Sequence, residues 1–118
     1  MKAINGDNMN LHEKKCKACE GGVPPLSHDE IEPLYSSLNP EWEVIDAHHL
    51  RRVWTFDDFA TALVFLNSAA QICEEEFHHA DFEIGWGKVT AVIFTHKIDG
   101  LTESDFILAA KIDKNVNA

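Results

Sequence analysis

Several features that mark particular classes of protein are scarce or missing in this chain. No apolar run is as long as a membrane span, and residues 1–20 lack the apolar core of a secretory signal peptide. Basic residues are few: 10 Lys and Arg stand against 20 Asp and Glu, which gives a formal net charge of −10. The missing membrane span and signal peptide predict a cytoplasmic location without a membrane partner. Because phosphate binding needs clustered Lys and Arg, we also expect no nucleic-acid partner.

Cysteine is also scarce, and the three cysteines are an odd number that does not suit a disulfide framework. Cys16 and Cys19 form a C-x-x-C pattern, with His12 four residues ahead of it. Two cysteines and one histidine leave a structural zinc site short of a ligand. The pattern therefore favours reduced thiols over a metal centre.

The length of 118 residues and the hydrophobic content of 45% suit a single domain with one core. Residues 1–26 show no sustained periodicity and contain Gly and Pro pairs near their end, so we interpret them as an N-terminal arm that is partly flexible. Residues 27–118 form the predicted domain.

Periodicity and capping signals predict seven elements in this domain. Ser27 and Glu30 have the spacing of a capping box, and Leu101 and Phe106 that of a hydrophobic staple at the last helix. Asp57 is the predicted N-cap of the long helix. In order, the elements are a helix from residue 27, strands 42–45 and 50–56, a helix 58–77, strands 81–86 and 88–95, and a helix from residue 102.

This order predicts an α+β fold: a four-stranded antiparallel sheet with helices on one face, built from two β-β-α units after an N-terminal helix. The expected inward stripe of the long helix comprises Phe59, Ala62, Leu63, Phe65, Leu66, Ala69, Ala70, Ile72 and Cys73. The last strand is apolar on both faces, with Val92 and Phe94 on the second. A subunit interface, or an edge covered by the arm, would explain that second face.

The most informative residues are His78, His79 and His96, with a carboxylate at Asp105. A strand pattern separates the histidine pair from His96, so one end of a sheet can collect all three imidazoles. Imidazole titrates near neutral pH and can give or take a proton, which indicates proton-transfer chemistry. The alternative is a polar helix end at the pair and a strand terminus at His96.

Three carboxylates, Glu74, Glu75 and Glu76, lie at the C-terminal end of the predicted long helix, where the helix dipole prefers cations. Local stability does not explain that choice. Glu74 precedes His78 by four residues and Glu75 precedes His79 by four, so each could pair with an imidazole on its own face. A carboxylate beside an imidazole favours the protonated form and would suit a general acid.

Two further candidates have strong structural interpretations. Asp105 follows Thr102 by three residues and resembles the acidic member of a capping box. Trp86, between Gly85 and Gly87, is typical of packing at a hairpin, although an exposed aromatic ring can also stack on a planar heterocycle.

Taken together, Glu74-x3-His78-His79, Trp86, His96 and Asp105 resemble the signature of the pterin-4a-carbinolamine dehydratases. Five residues separate Ala80 from Trp86, nine separate Trp86 from His96, and eight separate His96 from Asp105, as in the signature. The resemblance extends over about residues 26–111 and includes the entries into both later helices. Ala80 departs from it, since the family usually has Pro there, and Phe82 replaces a common Trp. Ala should loosen the exit from the helix.

The resemblance implies a hydro-lyase that removes water from 4a-hydroxytetrahydropterin, without metal or organic cofactor, in tetrahydropterin recycling. It implies acid, base and orienting roles for His78, His79 and His96, with Asp105 positioning a histidine. It also implies that Glu74 supports the substrate site and that Trp86 lines it. Further implications are a homodimer or homotetramer and phenylalanine hydroxylase as the functional neighbour.

Two other classes of function remain open at this point. Seven histidines, including a second pair at His48-His49, could indicate a metal-binding protein. Animal relatives of the family also act as dimerisation partners of a homeodomain transcription factor, which makes a non-catalytic protein-binding module the other alternative.

Overall fold

The computed structural model describes residues 10–16 and 23–116. A short 3-10 turn (Leu11–Glu13) in the arm precedes the domain. The elements of the domain are α1 (His28–Ser36), β1 (Glu43–Ile45), β2 (His49–Thr55), α2 (Phe59–Glu76), β3 (Asp81–Gly85), β4 (Lys88–Ile93) and α3 (Glu103–Val116). Their order is the predicted one, and the predicted bounds differ by one or two residues, which is the usual uncertainty at element ends.

The four strands form one antiparallel sheet in the order β1-β2-β4-β3. β4 is therefore central, with Val89 opposite Trp54 on one side and Ile84 on the other. Val89, Ala91 and Ile93 are fully buried against the helices. The predicted α+β architecture, with all three helices on one face of the sheet, is confirmed.

The core lies between this sheet and α3, whose apolar face is inaccessible to water. Trp42, Leu50 and Leu101 close its ends with no exposed area. A buried Asp113 joins α3 to the sheet, because it accepts hydrogen bonds from the indole N–H of Trp42 and from the Arg52 guanidinium, both at 2.8 Å. The α3 side chains in this core are Phe106, Ile107, Leu108, Ala109 and Ile112.

The helix starts follow local capping rules, with one correction. Ser27 and Glu30 form the predicted reciprocal capping box, and Leu101 and Phe106 are both fully buried, as a staple requires. The N-cap of α2 is Asp58 and not Asp57. The Asp58 carboxylate accepts the Thr61 N–H at 2.8 Å, three residues on, which places the first helical residue at Phe59.

The buried face of α2 is narrower than predicted. Ala62, Phe65, Ala69 and Cys73 are buried, whereas Phe59 and Leu63 are 44% and 40% exposed. Ala70 is also exposed, so the prediction that Phe59, Leu63 and Ala70 face the core is wrong. Since the sheet and α3 cover only one stripe of α2, the rest of its apolar surface faces outward in the single chain.

The arm packs on the helices, away from the second face of the sheet. Leu11 is 2% exposed and belongs to the core, and its turn lies against α3. The arm residues that the structure describes therefore do not cover Val92 and Phe94, which are only partly buried. The predicted boundary at residue 26 stays a prediction, as does a subunit interface on the second face of the sheet.

Candidate active site

The two adjacent histidines diverge because the chain turns sharply at the end of α2. Phe77, the residue that caps the helix, has left-handed backbone angles (φ 53°, ψ 37°). Helical geometry therefore stops at Glu76, and the next two side chains point in different directions. His78 enters the protein and is 8% exposed, whereas the side chain of His79 is 58% exposed.

His78 forms a buried pair with Asp105, at the start of α3. Its Nε2 lies 2.6 Å from Oδ1 of Asp105, whose side chain has no exposed area. The other oxygen, Oδ2, accepts the Thr102 N–H at 2.8 Å and the Thr95 hydroxyl at 2.9 Å. An ionised carboxylate can only accept hydrogen bonds, so Nε2 of His78 carries a proton and is the donor. Nδ1 of the neutral imidazole is then a hydrogen-bond acceptor.

Asp105 therefore serves the helix and the site with different oxygens. Its bond from the Thr102 N–H is the cap that the sequence predicts, three residues into the helix start. Its bond to His78 orients the imidazole, as carboxylates orient histidines elsewhere. The two interpretations of Asp105 are compatible, because a carboxylate has lone pairs for both groups of donors.

The carboxylate partners of the histidines differ from the predicted i,i+4 pairs. Glu74 pairs with His79, at 2.6 Å between Oε2 and Nε2, and Glu75 accepts a hydrogen bond from Gln71. The prediction that Glu74 meets His78 and Glu75 meets His79 is wrong. It assumed a helix that continues through residue 79, but the left-handed Phe77 ends the helical spacing.

His96 lies near the same end of the β3–β4 hairpin as the histidine pair. Its Nε2 is 3.5 Å from Oδ2 of Asp81, two residues after His79, and its side chain is 58% exposed. Its neighbour Thr95 donates to Asp105. A hydrogen-bonded path thus joins the buried His78 to the residue beside the exposed His96. Sequence reasoning missed Thr95, although a hydroxyl directly before a candidate histidine was a visible signal.

Trp86 is not part of this group within one chain. It lies 70% exposed at the turn between β3 and β4, whereas Asp81 and the histidines mark the opposite end of the hairpin. A five-residue strand separates the ends by roughly 15 Å. Within a single subunit Trp86 therefore lies away from the histidines, and its contribution to a pterin pocket stays a prediction.

The second histidine pair, which the sequence left unconnected, is linked to the site by an aromatic ring. His48 and His49 approach each other at 3.0 Å between their Nδ1 atoms, and His48 Nε2 is 2.7 Å from Asp99. The Phe94 ring centroid lies 4.7 Å from that of His48 and 4.2 Å from that of His96. Burial and the adjacent His48 lower the pKa of His49.

Ala80 makes a contact that the proline usual at this position could not make. Its backbone N–H reaches the sulfur of the buried Cys73 in the last turns of α2. Burial raises the pKa of the Cys73 thiol, and this hydrogen bond opposes part of the rise. Because proline has no N–H, it could not donate this hydrogen bond from position 80.

The remaining candidates do not form a metal centre in the part of the chain that the structure describes. No three His, Cys, Asp or Glu side chains group there in a way that could hold an ion. Cys16 is partly buried, and burial together with Glu76 raises its pKa to about 12. Cys19 lies outside the described residues. Across residues 10–16 and 23–116, no helix has the length and apolar character needed to cross a membrane.

This arrangement suits proton transfer to and from a bound small molecule. His79 and His96 are exposed and can contact a ligand, while His78 is held in one orientation by a fully buried carboxylate. At a pH near neutral, an imidazole can act either as an acid or as a base.

A sequence model of the family described as "Pterin 4 alpha carbinolamine dehydratase" matches residues 24–115. A curated protein of Rubrobacter xylanophilus, named "putative pterin-4-alpha-carbinolamine dehydratase", is 54% identical over 104 residues, which are 88% of this chain and 96% of that protein. One of Alkaliphilus metalliredigens with the same name is 54% identical over 105 residues, 89% of this chain and 95% of its own.

A solved structure shares the fold. The crystal structure of a transcriptional coactivator/pterin dehydratase from Brucella melitensis superposes with a TM-score of 0.70 at 28% identity, covering 76% of this chain and 96% of that one.

Proposed function

The chain belongs to the pterin-4a-carbinolamine dehydratase family, and from that premise we propose that it removes water from 4a-hydroxytetrahydropterin to give quinonoid dihydropterin. The observation that carries the proposal is the buried His78–Asp105 pair beside two exposed imidazoles, His79 and His96. Such a group can protonate a leaving oxygen and accept a proton from a ring nitrogen.

The reaction requires two proton transfers and no redox step. The leaving hydroxyl is bonded to a ring carbon next to a ring nitrogen. As the nitrogen lone pair forms a C=N bond, the C–O bond breaks and an acid protonates the departing oxygen, which leaves as water. A base then takes a proton from a ring N–H, so that a neutral substrate gives a neutral product and water. General acid–base catalysis of this kind contributes about 10²–10⁴-fold in rate.

The chain's own residues would divide this work according to their exposure. His79 and His96 would contact the substrate, and the Glu74 carboxylate, 2.6 Å from Nε2 of His79, would orient that imidazole. His78 would orient the substrate or relay a proton through Nδ1, since its Nε2 is engaged by Asp105.

Stopped-flow ultraviolet absorbance on chemically generated 4a-hydroxytetrahydropterin tests the proposal. We expect the wild-type protein to accelerate dehydration over buffer, and His79→Ala to lose about 10²-fold or more of that acceleration. His28→Ala, which removes an exposed imidazole on α1, is the matched control and should keep full activity. Activity should survive EDTA. No acceleration by the wild type would refute the proposal, and a loss on EDTA that zinc restores would indicate a metal site instead.

We also propose that the chain forms a homodimer or homotetramer. Two apolar surfaces support this: the second face of the sheet, with Val53, Val92 and Phe94, and the outward face of α2, with Phe59 and Leu63. Contiguous apolar surface of this kind usually marks an interface. Sedimentation equilibrium should give two or four subunits, and a strictly monomeric protein would contradict the proposal.

The proposed physiological role is recycling of the tetrahydropterin used by an aromatic amino acid hydroxylase, with phenylalanine hydroxylase as the functional neighbour. A cytoplasmic location agrees with the unpaired thiols of Cys16 and Cys73, since such thiols persist in reducing compartments. A coupled assay with a purified hydroxylase would show faster pterin turnover when this protein is added.

A protein-binding role is the second candidate. The outward face of α2 favours it, because Phe59, Leu63 and Val64 are 44%, 40% and 66% exposed. Substitution of Leu63 and Val64 by Ser tests the two functions separately. A protein-binding module would lose its partner in a pull-down, whereas a dehydratase whose active site lies elsewhere would keep its dehydration activity.

A further inference from the structure

The arm segment (residues 10–16) touches both elements that carry the His78–Asp105 pair, although it lies outside the region from 24 to 115 that the family model matches. The backbone N–H of Cys16 donates to Oε1 of Glu76 at 3.0 Å. The thiol of the same residue donates to the carbonyl of Ser104 at 3.5 Å. Glu76 ends α2 two residues before His78, and Ser104 directly precedes Asp105.

Further contacts fasten the arm segment at this place. Lys111 of α3 donates from Nζ to the backbone carbonyl of His12 at 3.0 Å, and its Nζ lies 3.6 Å from Oε2 of Glu76. Lys14 pairs with Glu103 at 3.0 Å, at the first turn of α3. Leu11 is buried in the core. The segment is therefore held through its backbone, its charges and an apolar anchor.

Glu76 needs the arm segment, because a carboxylate at this position is unfavourable alone. It stands at the C-terminal end of a helix, where the dipole repels negative charge, and its side chain is only 7% exposed. Burial raises its pKa, but the Cys16 N–H, Lys111 and Lys15 together outweigh burial and lower the pKa below the ordinary value. The carboxylate that local helix stability could not explain thus has its partners in the arm and in α3.

We propose that the arm segment positions the catalytic pair: by joining Glu76 to Ser104 through Cys16, it fixes the end of α2 relative to the start of α3, and so holds His78 against Asp105. Glu76 and Cys16 are positioning residues in this proposal, since their described hydrogen bonds go to each other and to Ser104. The proposal rests on the proposed dehydratase function for its kinetic consequence but not for its structural one.

The chemistry of Cys16 suits a structural role. Burial, reinforced by the nearby Glu76 carboxylate, raises the pKa of this thiol to about 12. It therefore stays protonated at working pH, keeps its S–H donor for the Ser104 carbonyl, and is a poor nucleophile.

The test compares Glu76→Ala with Glu75→Ala in the full-length protein. The two variants remove the same group from adjacent positions of one helix, but Glu75 is exposed and bonds only to Gln71 among the contacts described. The first readout is nuclear magnetic resonance of ¹⁵N-labelled histidine side chains, which reports the tautomer and hydrogen bonding of His78. The second is the kcat and KM of dehydration as a function of pH.

We expect Glu76→Ala to shift the resonance signals of the His78 imidazole. We also expect kcat to fall about tenfold and KM to change much less, because misplacement of a catalytic group reduces the rate more than the binding of substrate. Its pH profile should broaden or move as His78 loses its fixed partner. Glu75→Ala should match the wild type in both readouts. Glu76→Gln, which keeps an acceptor for the Cys16 N–H, should restore part of kcat.

Unchanged His78 signals in a folded Glu76→Ala protein would overturn the proposal. If Glu76→Ala fails to fold, Cys16→Ala provides the test, since it removes only the S–H donor. Shifted His78 signals in Cys16→Ala that recover in Cys16→Ser would support the proposal. Wild-type His78 signals in Cys16→Ala would overturn it. If the wild type does not dehydrate the pterin, the proposed function fails, and the resonance comparison still decides whether the arm segment positions the pair.

Discussion

His78 Nε2 lies 2.6 Å from Asp105 Oδ1 in a part of the protein where the carboxylate has no contact with water. The pair joins the end of α2 to the start of α3, and Thr95 and Thr102 supply the remaining hydrogen bonds of the carboxylate. One buried group thus caps a helix and orients an imidazole.

Asp105→Asn should damage activity more than stability. Because the Thr102 N–H and the Thr95 hydroxyl both donate to Oδ2, the Asn carbonyl oxygen will take that position and its NH₂ group will face His78. Nε2 of His78 must then accept, which places the proton on Nδ1, the wrong nitrogen. We expect kcat to fall about 10²-fold or more, as when a histidine is held in the wrong tautomer. The ¹⁵N chemical shifts of His78 would report its tautomer, and an unchanged tautomer would contradict the prediction.

Thr95→Val should destabilise the protein and weaken the support of Asp105. The hydroxyl donates to Asp105 at 2.9 Å and lies 3.0 Å from the Thr102 hydroxyl, and Thr95 is 3% exposed. Its loss leaves buried acceptors short of a donor, at about 1–3 kcal/mol of unfolding free energy. Thr55→Val, at an exposed position of β2, is the matched control. Urea denaturation measures both, and equal midpoints for the two variants would refute the prediction.

Gly100→Ala should displace the loop that carries His96. A Cβ at this position would lie 2.5 Å from the Cβ of Pro25, and the Gly100 carbonyl also accepts the Thr95 N–H. Overpacking of this kind costs about 1–3 kcal/mol. Gly85→Ala provides the contrast, because nothing lies within 4 Å of a Cβ there. Thermal melts should show a clear loss for the first variant and little for the second, and the reverse order would contradict the structure.

Asp113 should make the protein less stable as pH rises from about 4 to about 7. Burial raises its pKa to about 6, against the opposing hydrogen bonds of Trp42 and Arg52. The folded protein therefore holds a proton that the unfolded chain, with an ordinary Asp, releases near pH 3.8. This contribution is fully present below the unfolded pKa and is lost as pH passes through 6, and its size is about 3 kcal/mol.

Asp113→Asn removes the titrating carboxyl group. The difference in unfolding free energy between the wild type and this variant therefore reports the titration of Asp113, because both proteins keep the same histidines. Urea titrations at pH 4, 5, 6, 7 and 8 should show the wild type losing stability relative to the variant between about pH 4 and about pH 7, and a constant difference above that. A constant difference over the whole range would show that Asp113 does not titrate there. The Asp58 and Glu76 carboxylates, whose pKa values are lowered, lose their contributions only in more acidic solution.

Local signals in the sequence were sufficient for the fold. The Ser27–Glu30 capping box and the Leu101–Phe106 staple depend on residues three to five positions apart, which is the range that sequence patterns describe well. The same reasoning failed where an exception to regular geometry intervened. Phe77 in a left-handed conformation ended α2 before His78, so Glu74 pairs with His79 instead of His78, and Glu75 bonds to Gln71 instead of His79.

The sequence by itself determined the element order, the helix caps and the family, because these depend on neighbouring residues and on a motif of fixed spacing. Only the tertiary structure decided which carboxylate meets which histidine, that Trp86 lies away from them, and that the arm reaches Glu76 across 60 positions. The physical reason is that these hydrogen bonds join groups that are distant in the sequence and that the packed sheet and helices bring together. Patterns of neighbouring residues contain no information about such contacts.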